Sequence, residues 1–569
     1  MTGLYFCLGC LILLAGYFFY GKLLSRWIGV EKERPTPAHE FHDGVDFVPS
    51  RVPMLFGHHF SSIAGAGPIV GPILAALWFG WLPAFLWIII GAILVGGVHD
   101  YTALMASIRN RGQSVASLCR SYLSPFTYRT FLAFIWFTLV YVLIVFLDLT
   151  AKTFAPTPTS ETGGAVASAS LLYICIALAF GVTIRRLKLS FIKTSIIFVP
   201  LVFVALYAGS QFPLLAKVLP VVAYNDPKYT WCIILLLYCF AASITPVWVL
   251  LQPRDYLSSF LLYACLIGGG SGLVIAAFDG QTPIQYPGFI DWWKDGEQQT
   301  GFIFPLLFIT VACGAISGFH SIVASGTSSK QLHNERDAKP IAYGGMLVEG
   351  VLALLALAAV MLYAKDADVL SQTPTKIFAS GIGAFAEALH IPQKVGQQFG
   401  LLAISTFLLT TLDTGTRLSR FIFEEFFNLR HKRWRYLSTL ASLILPAIIV
   451  FMRFPDPDKA GHFIPAWQYI WPVFGATNQL LAALALLVVF AWLGHSKKKR
   501  LFVFLPMFFM LASTLTMLVQ LTYQNLFLEQ KQLIVGGTCL LLLILAILVI
   551  GDTIKNWRFI QKPDCKPEA

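Results

Sequence analysis

Residues 57–72 read GHHFSSIAGAGPIVGP, an apolar stretch in which three glycines and two prolines follow two histidines and two serines. Proline removes a backbone donor and clashes with the preceding turn, so one continuous helix is not expected here. At membrane depth, irregular backbone is tolerated only where protein buries it or where it lines a wet cavity. Within a membrane protein the pattern predicts a discontinuous helix, and the alternative is a glycine-rich helix packed closely on a neighbour.

The composition of the whole chain places this stretch in a membrane. Of 569 residues, 57% are hydrophobic and 12% are charged, and the mean hydropathy is +0.71. Soluble domains carry about 25% charged residues. At about 20 apolar residues per span, the chain has enough for about fifteen spans. The fold class is therefore an all-α polytopic membrane protein, which excludes a string of soluble domains, a disordered chain and a fibrous repeat.

Fifteen hydrophobic segments divide the chain into spans. Their predicted limits are 3–20, 58–82, 83–107, 130–151, 166–184, 192–212, 231–251, 257–279, 302–328, 340–364, 395–417, 436–453, 464–493, 501–523 and 532–552.

The basic residues orient these spans. Of the 41 lysines and arginines, roughly 31 fall in the loops after odd-numbered spans and in the C-terminal tail. Because basic residues mark the cytoplasmic side, the N-terminus is expected outside and the C-terminus inside a bacterial inner (plasma) membrane. The net charge of +12 then reflects topology, and no nucleic-acid partner is expected. The loop that supports this orientation least, the one after predicted span seven, holds a single basic residue, Arg254.

A second interrupted stretch lies at 313–330 and reads CGAISGFHSIVASGTSSK. The two stretches belong to predicted spans two and nine, which cross the membrane in opposite directions. Inverted-topology repeats with a site at their interface are built this way. We therefore expect one transporter domain over 1–569, with repeat regions at 58–279 and 302–552. Repeats of five or of seven spans fit equally well.

Polar residues around both interruptions are the candidate substrate site. Half-helix N-termini present free N–H groups and a positive dipole end to an anion, and histidines and hydroxyls extend that set. Two adjacent amides in a later apolar span either contact substrate or hydrogen-bond unwound backbone. The candidates are His58, His59, Ser61, Ser62, Gly65, Ala66, Gly67, His320, Ser321, Ser325, Thr327, Asn478 and Gln479.

Acidic residues inside spans are costly and usually functional. Asp100, which follows His99, and Glu349 are therefore predicted to couple or gate transport, unless each satisfies a buried partner. Asp413 is a further candidate, although Arg417 and Arg420 lie within two helical turns and favour a local ion pair.

Other functions lack the residues that they need. The longest stretches outside the spans, near 21–57, 280–301 and 365–394, are too short for a nucleotide-binding domain or a signalling domain. The sequence shows no nucleophile–base pair of the kind that an enzyme would need. No metal site is predicted, because no acidic or cysteine partner was identified at ligand spacing beside the histidines. No cofactor is expected beyond a proton gradient, and sodium coupling stays open.

Seven motifs together resemble the carbon starvation protein A family of bacterial transporters. They span about 50–490 of the chain. The motifs are His59–Pro72, GGVHDYTALMASIR at 96–109, QPRDYLS at 252–258, Ser317–Gln331, Gly344–Gly350, LDTGTRLSRF at 412–421 and FGATNQLLAALAL at 474–486.

The resemblance implies an inverted-repeat fold related to the amino acid–polyamine–organocation superfamily. It also implies secondary uptake of a small carboxylate, pyruvate, or of short peptides during carbon starvation, with protons. The expected partners are that substrate and the lipid bilayer, and the oligomeric state is left open.

Overall fold

The computed structural model describes residues 1–44, 47–155, 162–187, 189–214, 221–246, 249–280, 282–294, 301–429, 431, 433–455, 462–528 and 532–555. These residues are almost entirely helical. The helices are α1 (Thr2–Phe18), α2 (Tyr20–Ile28), α3 (Pro37–Glu40), α4 (Val52–Ile63), α5 (Gly67–Phe79), α6 (Trp81–Gly91), α7 (Gly97–Arg109), α8 (Val115–Tyr122), α9 (Pro125–Phe154), α10 (Thr162–Arg186), α11 (Phe191–Gln211), α12 (Pro227–Ile244), α13 (Leu251–Phe278), α14 (Ile303–Thr310), α15 (Gly318–Gly326), α16 (Gly345–Met361), α17 (Pro374–Glu387), α18 (Gln393–Phe426), α19 (Trp434–Val450), α20 (Ala466–His495), α21 (Leu501–Phe527) and α22 (Leu533–Lys555).

Short irregular elements complete the chain. Two antiparallel hairpins pair β1 (Trp293–Lys294) with β2 (Gly301–Phe302) and β3 (Phe454–Pro455) with β4 (Phe463–Ile464). Single 3₁₀ turns lie at Ser328–Lys330, Glu335–Asp337 and Asp368–Ser371.

The structure confirms an all-α polytopic membrane protein. Among the described residues, 12 helices are long and apolar enough to cross a membrane, or 13 if the bent pair α4–α5 forms one span. These account for thirteen of the fifteen predicted segments. The segment at 302–328 divides into α14 and α15, and the segment at 436–453 is α19, only 17 residues long. Neither is a single helix of spanning length, so the predicted count exceeds the structural one.

Burial divides the spans into a centre and a periphery. Every residue in the apolar window of α20 is buried, whereas α11 buries only 17% of its window. α20 packs against α9, α15 and α21, and α5 packs against α16. A helix that is apolar all round must be covered by other helices or by lipid. The interrupted helices therefore lie in the covered centre of the bundle.

Each interrupted span is followed in the chain by a span that contains a π-helical segment. Ala92–Gly96 lies between α6 and α7, and Lys339–Gly344 precedes α16. Single π-helical turns inside α-helices are rare and occur often at functional sites. The two halves of the chain therefore share an order of elements, a broken helix and then a π-containing helix.

The two interruptions contact each other through glycine. A Cβ atom placed on Gly67 would overlap Cys313, and one on Gly71 would overlap the carbonyl oxygen of Thr310. One on Gly96 would overlap the carbonyl of Ala315. Only glycine allows backbone to approach backbone this closely. The glycines of the first broken span are therefore required for the second break to lie against it.

Replacing Gly67 by alanine should destabilise the fold. The added methyl group overfills a packed contact, which typically costs about 1–3 kcal/mol. Thermal unfolding of the detergent-solubilised protein measures the effect. Gly268→Ala is the matched control, because a Cβ at Gly268 meets no atom within 4 Å. Equal melting temperatures for the two variants would show that the close approach at Gly67 is not restrictive.

Candidate functional site

The first break separates α4 from α5 and bends the chain by 42°. α4 ends at Ile63, and α5 begins at Gly67 with Pro68 in its first turn, where a missing N–H breaks no helical hydrogen bond. The residues between the two helices, Ala64 to Ala66, are buried. Gly65, Ala66 and Gly67 therefore form the break that the sequence predicts.

The second break separates α14, which ends at Thr310, from α15, which begins at Gly318. Residues 311–317 between them are all buried. Backbone groups in such a segment lack helical partners and need other ones. The structure therefore places two lengths of non-helical backbone side by side in the centre of the bundle.

Asn478 and Gln479 supply part of what this backbone needs. The side-chain oxygen of Asn478 accepts a 3.0 Å hydrogen bond from the amide of Phe319, in the first turn of α15. The amide nitrogen of Gln479 donates to the carbonyl oxygen of Phe308 at 3.1 Å, near the end of α14. Asn478 and Gln479 therefore bond backbone groups at the two helix ends that flank the second break.

Four ionisable side chains form a buried chain across the breaks. Nδ1 of His99 lies 2.7 Å from one oxygen of Asp100, and Nδ1 of His320 lies 2.8 Å from the other. Nε2 of His320 lies 3.3 Å from Oε2 of Glu349. All four side chains are fully buried. The histidine of the second break thus lies between the two carboxylates that the sequence singles out.

Glu349 is the exceptional member of this cluster. Neither of its carboxyl oxygens has a hydrogen bond, and neither does Nε2 of His320. A carboxylate that accepts from Nδ1 leaves the opposite imidazole nitrogen as the acceptor in the neutral ring. Two acceptors therefore face each other at 3.3 Å, and only a cation between or on them makes the contact favourable.

A second buried cluster joins α4 to α13 and α18. Nδ1 of His58 lies 2.7 Å from Asp255, and the guanidinium of Arg254 bonds both Asp255 and Asp413. The hydroxyl of Tyr238 donates to Asp413 at 2.9 Å. One guanidinium therefore lies between two carboxylates at a position with no exposed surface.

This cluster changes two sequence interpretations. Asp413 pairs with Arg254, whereas Arg417 and Arg420 donate to carbonyls at the end of α12, so the expected local ion pair is wrong. Cations near a helix C-terminus are stabilised by its dipole. The sequence places Arg254 in a loop, but it is fully buried in the first turn of α13.

The predicted hydroxyl groups are all buried, and most bond their own helix. Ser62, Ser321, Ser325 and Thr327 each donate to a carbonyl three or four residues earlier. Ser61 instead donates to the carbonyl of Asp255. To donate to a ligand, these hydroxyls would have to leave those carbonyls.

The remaining predicted histidine, His59, lies between the two broken spans. Its Nδ1 is 2.8 Å from Oγ of Ser328, just beyond α15, and its Nε2 is buried without a partner. His58 and His59 are neighbours in sequence, but His58 contacts the arginine cluster and His59 contacts Ser328.

Sequence reasoning missed Cys313. Its sulfur, Nε2 or Nδ1 of His320 and a carboxyl oxygen of Glu349 lie within 4.8 Å of one another. Spacing within one segment does not reveal this group, because Glu349 comes from α16. The seven-residue spacing of Cys313 and His320 was the available signal.

Comparison with known proteins identifies relatives of this chain. The family model described as carbon starvation protein CstA matches residues 2–370 and 363–517. A peptide transporter CstA of Bacillus subtilis is 30% identical over 98% of this chain and 97% of its own length. A peptide transporter CstA of Helicobacter pylori is 34% identical over 83% of this chain and 75% of its own. The pyruvate/proton symporter BtsT of Escherichia coli is 29% identical over 84% and 75%.

Solved structures share the fold. A manganese transporter of Eremococcus coleocola in complex with an aromatic bis-isothiourea substituted compound has a TM-score of 0.51, covering 91% of this chain and 99% of its own. At 14% identity, this likeness bears on the fold alone.

Removing the guanidinium at position 254 should destabilise the protein strongly. In Arg254→Met the carboxylates of Asp255 and Asp413 lose their buried counter-charge, a change that typically costs about 3–5 kcal/mol. Adding Asp413→Asn should recover part of that loss. Unfolding of the detergent-solubilised variants measures both effects.

Arg435→Met is the matched control, because the half-buried Arg435 bonds a single carbonyl at the end of α12. Equal losses of stability in Arg254→Met and Arg435→Met would contradict a special role for the cluster. So would a double variant, Arg254→Met with Asp413→Asn, that is no more stable than Arg254→Met alone.

Proposed function

The chain belongs to the carbon starvation protein CstA family, and on that premise we propose that it imports pyruvate together with a proton. It is a membrane transporter of that family and not an enzyme. One relative, at 29% identity, is named a pyruvate/proton symporter. Import of a small carboxylate under carbon starvation agrees with both names.

The observation that carries the proton proposal is the contact between His320 and Glu349. Two acceptors 3.3 Å apart in a fully buried position need a positive charge. A proton supplies it without any further ligand. Asp100, which His99 holds in place, then orients His320 and compensates its charge when it is protonated.

A co-transported proton also removes the electrostatic cost of importing an anion. An inside-negative potential opposes the entry of one negative charge by about 2.3 kcal/mol per 100 mV. A co-transported proton makes the translocated pair neutral. Loss of that proton would leave Nε2 of His320 opposed to a carboxylate and push α15 away from α16. We propose that this movement links protonation to the switch between outward-facing and inward-facing states.

Pyruvate is proposed to bind between the first break, at Gly65–Gly67, and residues Ser321–Thr327, which lie in α15 and at its C-terminal end. The available donors are the imidazole of His59 and backbone amides at the start of α5. His58, Ser61, Ser62 and Ser325 stay part of the proposed site as the sequence predicts it. Asn478 and Gln479 are assigned to shaping the second break, since their amides already bond backbone.

The topology proposed here is fifteen spans in two inverted repeats, with the N-terminus outside. α14–α15 counts as a second broken span and α19 as a short one. The shared order of broken helix and π-containing helix supports repeat regions at 58–279 and 302–552. The basic residues in the loops support the orientation.

Peptide uptake is the second candidate. Relatives named peptide transporters reach 34% identity, and one covers 98% of this chain. A peptide carries an ammonium group, and the two unpartnered oxygens of Glu349 would suit it. Pyruvate has no such group and requires a proton there instead.

Glu349→Gln should uncouple transport. The amide resembles the protonated acid but releases no proton, so exchange of labelled pyruvate across proteoliposomes should persist while proton-driven accumulation is lost. Glu387→Gln is the control, because Glu387 is exposed at the end of α17. The coupling role would be refuted if Glu349→Gln accumulated pyruvate as well as the native protein does. It would also be refuted if a sodium gradient alone drove accumulation by the native protein.

Competition separates the two substrates. Excess unlabelled pyruvate should abolish uptake of labelled pyruvate, and excess dialanine should leave it unchanged. Inhibition by the dipeptide, together with accumulation of labelled dialanine, would favour peptide import.

A further inference from the structure

We propose that Cys313, His320 and Glu349 form a binding site for a divalent metal ion of the zinc class. The three side chains come from the second break, from α15 and from α16. One ligand atom of each lies within 4.8 Å of the other two, and all three residues are buried. It is the one such group found among the described residues of the chain.

The donor set fits zinc in chemistry and in number. A thiolate, an imidazole and a carboxylate are the ligands that Zn²⁺ takes, whereas Mg²⁺, Ca²⁺ and Mn²⁺ favour oxygen ligands. Around a tetrahedral Zn²⁺ the ligand atoms lie roughly 3.3–3.6 Å apart. The three ligand atoms therefore need to approach one another by at most about 1.5 Å. Glu349 can make that movement without breaking a hydrogen bond, since it has none.

The surroundings of His320 are those of a metal ligand. A metal-binding histidine almost always donates its other ring N–H to a carboxylate, which fixes its tautomer and orientation. Here Asp100 accepts from Nδ1 at 2.8 Å, and Nε2 is left without a hydrogen bond toward Glu349. Asp100 is itself held by His99. The supporting partner thus exists whether or not an ion is bound.

Metal binding at this position is distinct from proton symport and has its own consequence for transport. A metal ion would occupy the same two acceptors that the proton uses, and it would fasten the second break to α16. Bound Zn²⁺ should therefore inhibit uptake by holding α15 and α16 together.

The test is a titration of the purified, detergent-solubilised full chain with Co²⁺, which reports ligands in its absorption spectrum. One Co²⁺ per chain should bind, with a sulfur-to-cobalt charge-transfer band in the near ultraviolet and the intense visible bands of tetrahedral Co²⁺. Excess Zn²⁺ should remove both. Cys313→Ser should abolish the charge-transfer band, and Glu349→Gln should weaken binding at least tenfold.

Cys265→Ser is the matched control. Cys265 is equally buried, on α13, outside the three-residue group. An unchanged spectrum in Cys313→Ser overturns the proposal, as does loss of the band in Cys265→Ser. Size-exclusion profiles of each variant identify misfolding, and His320→Gln supplies an independent variant if Cys313→Ser does not fold.

Transport provides a second readout. The ratio of pyruvate uptake with and without Zn²⁺ should be low in the native protein and near one in Cys313→Ser. If pyruvate is not a substrate, this ratio cannot be measured, but the Co²⁺ spectrum still decides the metal site. Metal binding and proton symport therefore fail separately.

Discussion

Backbone groups that an interrupted helix leaves unpaired must be satisfied inside the protein, because lipid offers no hydrogen-bond partner. This constraint accounts for the arrangement around the two breaks. Asn478 and Gln479 bond backbone at both ends of the second break, from the helix that is most completely buried. Gly67 and Gly71 let the first broken span lie directly on that segment. The polar centre of the protein is thus a consequence of breaking two helices.

The same centre holds two clusters of charge that differ in how they are compensated. Asp255 and Asp413 share the guanidinium of Arg254, which carries its charge at every physiological pH. Asp100 and Glu349 share only the imidazole of His320. An imidazole gains and loses its charge near neutral pH in water, whereas a guanidinium does not. The first cluster is therefore suited to hold helices together, and the second is suited to exchange a cation.

Local features of the sequence were enough to find the breaks and the carboxylates. The glycines and proline at 65–68 mark the first break, although α5 continues through Gly71 and Pro72, and Glu349 stands out as one acid in an apolar run. The partners that a side chain meets in the folded protein cannot be read from local sequence. The charge of Arg254 predicts a loop at the membrane surface, whereas Asp255 and Asp413 hold it in the interior. Cys313 and Glu349 meet only because α16 packs beside the second break.

The first broken span contacts both the arginine cluster and the segment that follows α15, the helix that carries His320. His58 and His59 are consecutive, so their side chains leave α4 about 100° apart. One contacts Asp255 in the arginine cluster, and the other contacts Ser328, which follows α15. A rotation of α4 that keeps one contact must strain the other, because both partners belong to other helices. α4 therefore packs between the arginine cluster, through His58, and the segment that directly follows α15, through His59.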